Sequence, residues 1–241
     1  MGQGRVLIIG SAPEAPEAAA WDRSAFDTIV VINNAWRIRP DWEALVYPAD
    51  FPAERLPPAP HSDQQLIGEA AFVPAQNAFG GFVYGGGTMA FTAGYWALYA
   101  LRPRVLAWFG CDMVYPPGRT HFYGAGRADP LRPDVTLQSL EAKAARLMAI
   151  AATEGCSCLN LSVGESRLVF PRATLADLMG PPPPLSADPA GVAAIREAEA
   201  RIGNFVPSGR YWEVADTFRA DTLARLDQRW LALRAQAAGA A

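Results

Sequence analysis

Two distant stretches of the chain share one pattern. "RVLIIG" (5–10) and "RVLAWFG" (104–110) each hold an arginine, a short apolar run and a closing glycine. A short apolar run stopped by a turn former reads as a strand buried on both faces. Strands of that kind lie side by side in parallel, joined by crossovers that cover the sheet above and below. "DTIVVINN" (27–34), "EALVYPADF" (43–51) and "SCLNLS" (157–162) continue the pattern, and "AAFVPA" (70–75) reads as a further short strand. Between them, "GGGTMAFTAGYWALYAL" (85–101) is long and alanine-rich enough for a buried helix. "TLQSLEAKAARLMAIAATEG" (136–155) is the clearest helix: Leu140, Ala144, Leu147 and Ala151 share a face, and Gly155 can end it. The expected fold is α/β, a Rossmann-like, mostly parallel sheet with helices on both faces, plus a C-terminal helical extension.

The chain of 241 residues suits one sizeable domain with an appendage. The expected division is an α/β domain over 1–179, a stiff proline-rich linker "GPPPPLSADP" over 180–189, and a helical extension over 190–241. In that extension Leu223, Leu226, Trp230 and Leu233 recur at helical spacing, a stripe suited to docking on the body, on a second copy or on a partner protein.

A net charge of −3 argues against a general nucleic-acid binder, which needs a basic face. No apolar run reaches the roughly 18–20 residues of a membrane span. The first residues pass from "MGQGR" straight into a strand, without a signal-peptide pattern. The expected setting is the cytoplasm, or the periphery of the inner membrane face. Cys111, Cys156 and Cys158 read as buried thiols rather than a zinc or redox set. With only His61 and His121 besides, no metal site is expected, and His61, among prolines, reads as exposed and inert.

Ligands of an open parallel sheet sit beyond the carboxyl ends of its strands. The residues expected there are Gly10, Ser11, Ala12 and Pro13 after the first strand, Asn33 and Asn34 after the second and Asp50 after the third. Asp112 and Ser162 follow two later strands, and Gly86, Gly87 and Thr88 precede a helix whose N-terminus favours an anion. Each has an ordinary reading too: a turn glycine, a capping asparagine, an aspartate bracing a loop. "GSAP" is neither G-x-G-x-x-G nor a P-loop. Their weight lies in converging on one edge.

"VLIIGSAP", "IVVINNAW" and "GGGTMAFTAGYWALYALRPRVLAWFGCDM" together resemble the bacterial sialyltransferases of the Campylobacter capsule and lipooligosaccharide type, over roughly residues 5–165. The resemblance implies a nucleotide-sugar transferase with a CMP-activated donor and a glycan or glycolipid acceptor. Gly10, Ser11 and Pro13 would approach the donor phosphate, Asn33 the donor, and Gly87 and Thr88 the ribose and base. Such enzymes invert in a single displacement without a metal cofactor: a histidine takes the acceptor's proton, and tyrosines stabilise the departing phosphate. The chain has no D-x-D metal clamp; Asp41-Trp42-Glu43 comes nearest and reads as loop chemistry. Two departures stand out. Asp112-Met113-Val114 replaces the family's Asp-Phe-Tyr, with Tyr115 one residue late. In "THFYGAG", Ala125 falls where the family's catalytic histidine would be. His121 is then the best base on chemistry, with Tyr115 and Tyr123 as donors to the leaving phosphate and Asp112 beside them. Two alternatives stand beside this reading. One is an Mg²⁺- and ATP-dependent enzyme of the pterin diphosphokinase kind, with Asp50 and Asp112 holding the metal. The other is a non-catalytic binding or assembly protein, favoured by Ala125 and the terminal helices.

Overall fold

The computed structural model describes residues 4–115, 117–124, 126, 129–180 and 188–239. Six strands form one sheet: β1 (Arg5–Ile9), β2 (Thr28–Ile32), β3 (Ala44–Val46), β4 (Gln65–Ile67), β5 (Val105–Phe109) and β6 (Ser157–Asn160). They lie in the order β4-β3-β2-β1-β5-β6, and every pairing is parallel. The chain lays strands outward from β1 to one edge, then crosses back to place β5 on the other side of β1. The topological switch point therefore lies between β1 and β5, where a doubly wound sheet opens a crevice.

Alternate residues along each strand feed two different cores. Val6, Ile8, Val30, Ile32, Leu106 and Trp108 face one layer; Leu7, Ile9, Ile29, Val31, Ala107 and Phe109 face the other. The first layer is thick and helical. It holds α1 (Glu69–Ala78), the short α2 (Phe82–Gly85), α3 (Met89–Leu101), α4 (Leu140–Thr153), α6 (Pro189–Ile202) and α7 (Ala220–Gly239). The second is thin. Short 3-10 turns over Ala15–Ala20, Arg23–Ala25 and Asn33–Arg37, with α5 (Leu175–Met179), cover that face.

"AAFVPA" is a correction: residues 70–75 belong to α1, and the fourth strand is the preceding Gln65–Ile67. A short apolar run fits a buried strand and a buried helix equally well. The true strand is an edge strand with Gln65 and Leu66 exposed, so it carries no apolar signal. The segment 85–101 is also broken. Gly86, at φ +88°, separates α2 from α3, and Thr88 caps α3 by accepting from the Ala90 N–H.

The C-terminal helices join the main core. Leu223, Leu226 and Trp230 of α7 are buried in the same cluster as β1 and α3, with Leu233 packed at its margin. Two buried ion pairs on α4 fasten them. Lys143 reaches Asp227 at 2.7 Å, and Arg146 makes a two-pronged pair with Glu199 at 2.8 Å. Arg146 also donates to the Tyr95 hydroxyl and the Phe79 carbonyl, and Trp230 Nε1 donates to Glu199. The stripe expected to dock on a body or partner is covered by this chain's own α4 and α6. Of the expected linker, 181–187 lie outside the described residues. Cys111, Cys156 and Cys158 are free and buried; burial pushes the Cys156 thiol up to about 12. His61 is exposed. Among the described residues no helix is long and apolar enough to cross a membrane.

Candidate functional site

At the switch point β1 and β5 run so close that only glycine fits. A Cβ on Gly10 would lie 2.2 Å from the Gly110 carbonyl oxygen and 2.6 Å from Cys111 Sγ. The "GSAP" turn is stitched to β5 and its loop: Gly10 N–H donates to Phe109 O and Ala12 N–H to Gly110 O. A wide cavity of about 1230 Å³ opens beyond these ends. Ordinary small-molecule sites occupy roughly 300–1,000 Å³, so there is room for a ligand of two parts.

The structure brings most of the sequence-derived residues onto this cavity. Gly10, Ser11, Ala12, Asn33, Asn34, Gly87, Thr88, Tyr115, His121 and Tyr123 all line it, as does Asp50. Pro13, Gly86, Asp112 and Ser162 do not. Pro13 leads away into the 3-10 turn, and Gly86 packs against Phe91 and Lys143. Asp112, only 4% exposed, points into a closed network. It accepts from Ser162 Oγ at 2.6 Å and from Asn160 Nδ2 at 3.2 Å; Ser162 Oγ in turn accepts from Gly110 N–H. Asp112 and Ser162 thus brace the β5 loop from behind and do not face the cavity. Asp50, the other carboxylate named for a metal, lies on the cavity lining where Asp112 does not.

The expected backbone cradles are partly filled from within. Gly10 and Ala12 use their N–H groups on β5, Pro13 has none, and Gly87 N–H donates to Thr136 Oγ1 at 3.2 Å. Gly87 is needed for a different reason: its Cβ would lie 2.0 Å from the Tyr211 hydroxyl. That hydroxyl donates to Asp134 Oδ2 at 2.8 Å, and Arg132 reaches Asp134, the Tyr211 hydroxyl and the Gly87 carbonyl. Residues 208–212 and 129–134 so form a wall of the cavity. Nothing in the sequence marked this wall, because it exists only once α6 and α7 have folded back.

Asn33 stands at φ +53° and Met113 at φ +55°, both at strand ends on the cavity lining. Asparagine tolerates the left-handed region; methionine does so at a cost, and strained backbone gathers at working sites. Neither Asn33 Oδ1 nor Asn34 Oδ1 has a hydrogen-bond partner, though both atoms are buried. Asn34 as a whole is 4% exposed. Native proteins rarely leave buried polar atoms orphaned, and a ligand is one explanation.

His121 sits in a tight turn, its backbone paired in both directions with Gly124. The next residue ties the turn to the first strand's loop, Phe122 N–H donating to Ser11 O at 3.0 Å. The imidazole stacks on Tyr123 at 5.0 Å and lies 5.8 Å from Tyr115. Burial holds its pKa below the usual 6.5, against the pull of Asp129, so the ring is neutral near pH 7. Nδ1 lies 2.9 Å from Thr120 Oγ1, whose proton can go to the Gly126 carbonyl. In that arrangement Nδ1 carries the hydrogen and the Nε2 lone pair is left to act as a base. Burial raises the Tyr115 hydroxyl well above 10, which keeps it a donor. Ala125 lies outside the described residues.

Sequence reasoning missed Arg37, Arg55 and Arg132 on the lining. Arg37 and Arg55 follow β2 and β3, so the strand-end rule applied to charged residues would have found them. Asp41 and Glu43, the nearest approach to a D-x-D, are engaged with Arg39 and Arg23. Among the described residues no group of three His, Cys, Asp or Glu side chains is placed to hold a metal ion. Comparison with family models, with curated proteins and with solved structures finds no match for this chain.

Proposed function

We propose that the protein is a glycosyltransferase of the sialyltransferase type, moving a sugar from a CMP-activated donor to a hydroxyl of a glycan or glycolipid. One observation carries this reading: a neutral histidine, flanked by two tyrosines, faces the same switch-point cavity as Ser11, Asn33, Asn34 and Thr88. The cavity's size suits a donor and an acceptor together.

The chemistry divides among these groups as follows. His121 Nε2 takes the proton of the acceptor hydroxyl as its oxygen bonds to the donor's anomeric carbon. The bond from that carbon to the phosphate oxygen breaks, and its electron pair leaves on CMP. Tyr115 and Tyr123 donate hydrogen bonds to the departing phosphate, a preorganised stabilisation of developing charge. The two unpartnered asparagine oxygens accept from donor hydroxyl or amino groups. No step calls on a metal. The working place is the cytoplasm or the inner membrane face, where such donors and lipid-linked acceptors meet.

The test is a thermal-shift screen against CMP, CDP, UDP and ATP, with Mg²⁺ or EDTA. Stabilisation by CMP that is indifferent to EDTA is expected; stabilisation by ATP only with Mg²⁺, or by no nucleotide, would overturn the reading. Given CMP binding, His121→Ala should lose at least about a hundredfold in turnover, the usual scale of general-base catalysis, while keeping CMP affinity. In the native protein kcat/KM should rise with pH through a midpoint below the 6.5 of an ordinary imidazole.

A further inference from the structure

Part of the donor set in the loops expected to receive an anion is already used within the protein, and two arginines on the lining have no carboxylate partner among the described residues. We propose that Arg37 and Arg55 form the anion-binding end of the cavity and take the phosphate oxygens of a phosphorylated ligand. This deepens the proposed function and rests on it for the identity of that ligand as a nucleotide.

Three observations converge. First, the N–H groups of Gly10, Ala12 and Gly87 are already hydrogen-bonded within the protein. Second, among the described residues no carboxylate oxygen lies within 4.0 Å of either guanidinium, whereas Arg132 and Arg210, also on the lining, each have such a partner. Asp50 and Glu69 also line the cavity, but neither pairs with these arginines. Third, Trp36 links the two positions, touching the cation of Arg37 and the main chain of Arg55. The Arg37 guanidinium lies 5.3 Å over the Trp36 ring, and Trp36 Nε1 donates to the Arg55 carbonyl at 2.9 Å. Stacking presents a guanidinium edge-on, the aspect that suits the two oxygens of a phosphate.

Asn34 supplies the independent sign that something binds here. It lies on the same turn as Arg37, is 4% exposed, and its buried Oδ1 on the cavity lining accepts from nothing. A ligand matching this end carries anionic oxygens for the arginines and hydroxyl or amino hydrogens for the asparagines. A nucleoside phosphate has both.

The experiment is titration of the full chain with CMP, cytidine and inorganic pyrophosphate, followed by calorimetry. Wild type should bind CMP at least about tenfold more tightly than cytidine. Arg37→Ala and Arg55→Ala should each weaken CMP by about tenfold, the scale of one charge-assisted hydrogen bond, and leave cytidine unchanged. Arg37→Lys should recover part of the loss, since charge remains and the planar fork does not. Both side chains are exposed and have no carboxylate partner among the described residues, so the variants should fold, and their unligated melting temperatures should match wild type. CMP affinity unchanged in both alanine variants would overturn the anion site and leave the nucleotide reading intact. Pyrophosphate binding that is lost in the variants, with no nucleotide bound by wild type, would uphold the anion site and remove the nucleotide. Binding of neither CMP nor pyrophosphate by wild type would overturn both.

Discussion

Two polar clusters sit at the carboxyl edge of this sheet, and they are built in opposite ways. Beyond β5 and β6, Asp112, Ser162, Asn160 and Ser166 form a closed circuit in which both Asp112 oxygens are engaged. Beyond β2 and β3, Asn33, Asn34, Arg37 and Arg55 face the cavity; among the described residues the buried asparagine oxygens accept from nothing and the two cations have no carboxylate partner. Aspartate, serine and asparagine after a strand look alike in a sequence. What separates a brace from a binding site is whether the protein itself has already met their hydrogen-bonding needs. A cluster that is complete without a ligand has little to gain from one. Glu14 lies at the margin of the closed cluster: burial raises its pKa above 4.5, and the charge of Asp112 adds to the rise.

The comparison breaks most readily at Asp112. Asp112→Ala would leave the Ser162 hydroxyl and the Asn160 amide without their acceptor in a buried setting. Orphaned buried groups cost roughly 1–3 kcal/mol each, so a loss on the order of 3 kcal/mol in urea unfolding is expected. A loss under about 1 kcal/mol would show that the circuit contributes little and is no brace. Asn34→Ala is the counterpart. Its Oδ1 has no protein partner to lose, so stability should stay within about 1 kcal/mol of wild type, while CMP affinity should fall by about tenfold, one hydrogen bond's worth. Destabilisation beyond about 2 kcal/mol would mean that Asn34 belongs with the braces.

Much of the fold was legible because strands buried on both faces announce themselves. "RVLIIG" and "RVLAWFG" became β1 and β5, and the glycine that closes each run marks where the two backbones crowd. Edge strand β4 was not legible, since two of its three residues face solvent and carry no apolar signal. The candidate site was legible in outline: the strand-end rule placed Ser11, Asn33 and Asn34 on the cavity, and the helix N-terminus placed Thr88 there. It could not say that Asp112 turns inward, toward partners some fifty residues away in the chain. Nor could it reach Tyr211, whose place against Gly87 is set by helices packed through Arg146–Glu199 and Lys143–Asp227.

Tyr211 offers the finest test, because its wall has features of both clusters: it lines the cavity, yet its hydrogen bonds are met. Burial alone would raise the pKa of Asp134, but hydrogen bonds from Thr136 and Tyr211 and the charge of Arg132 outweigh it, so the folded value lies below the ordinary 3.8. A carboxylate with a depressed folded pKa contributes stability that is present above its unfolded pKa and lost as pH falls through the folded one. Tyr211→Phe removes one of those hydrogen bonds and lets the folded value climb back toward 3.8. Acid unfolding should then begin at a higher pH than in wild type, while the loss near pH 7 should stay at about 1 kcal/mol, one ordinary hydrogen bond. If the wall is a brace, CMP affinity will move no more than that stability does. If affinity falls tenfold with the acid limb unmoved, the Tyr211 hydroxyl serves the ligand and the wall belongs with Asn34 and the arginines.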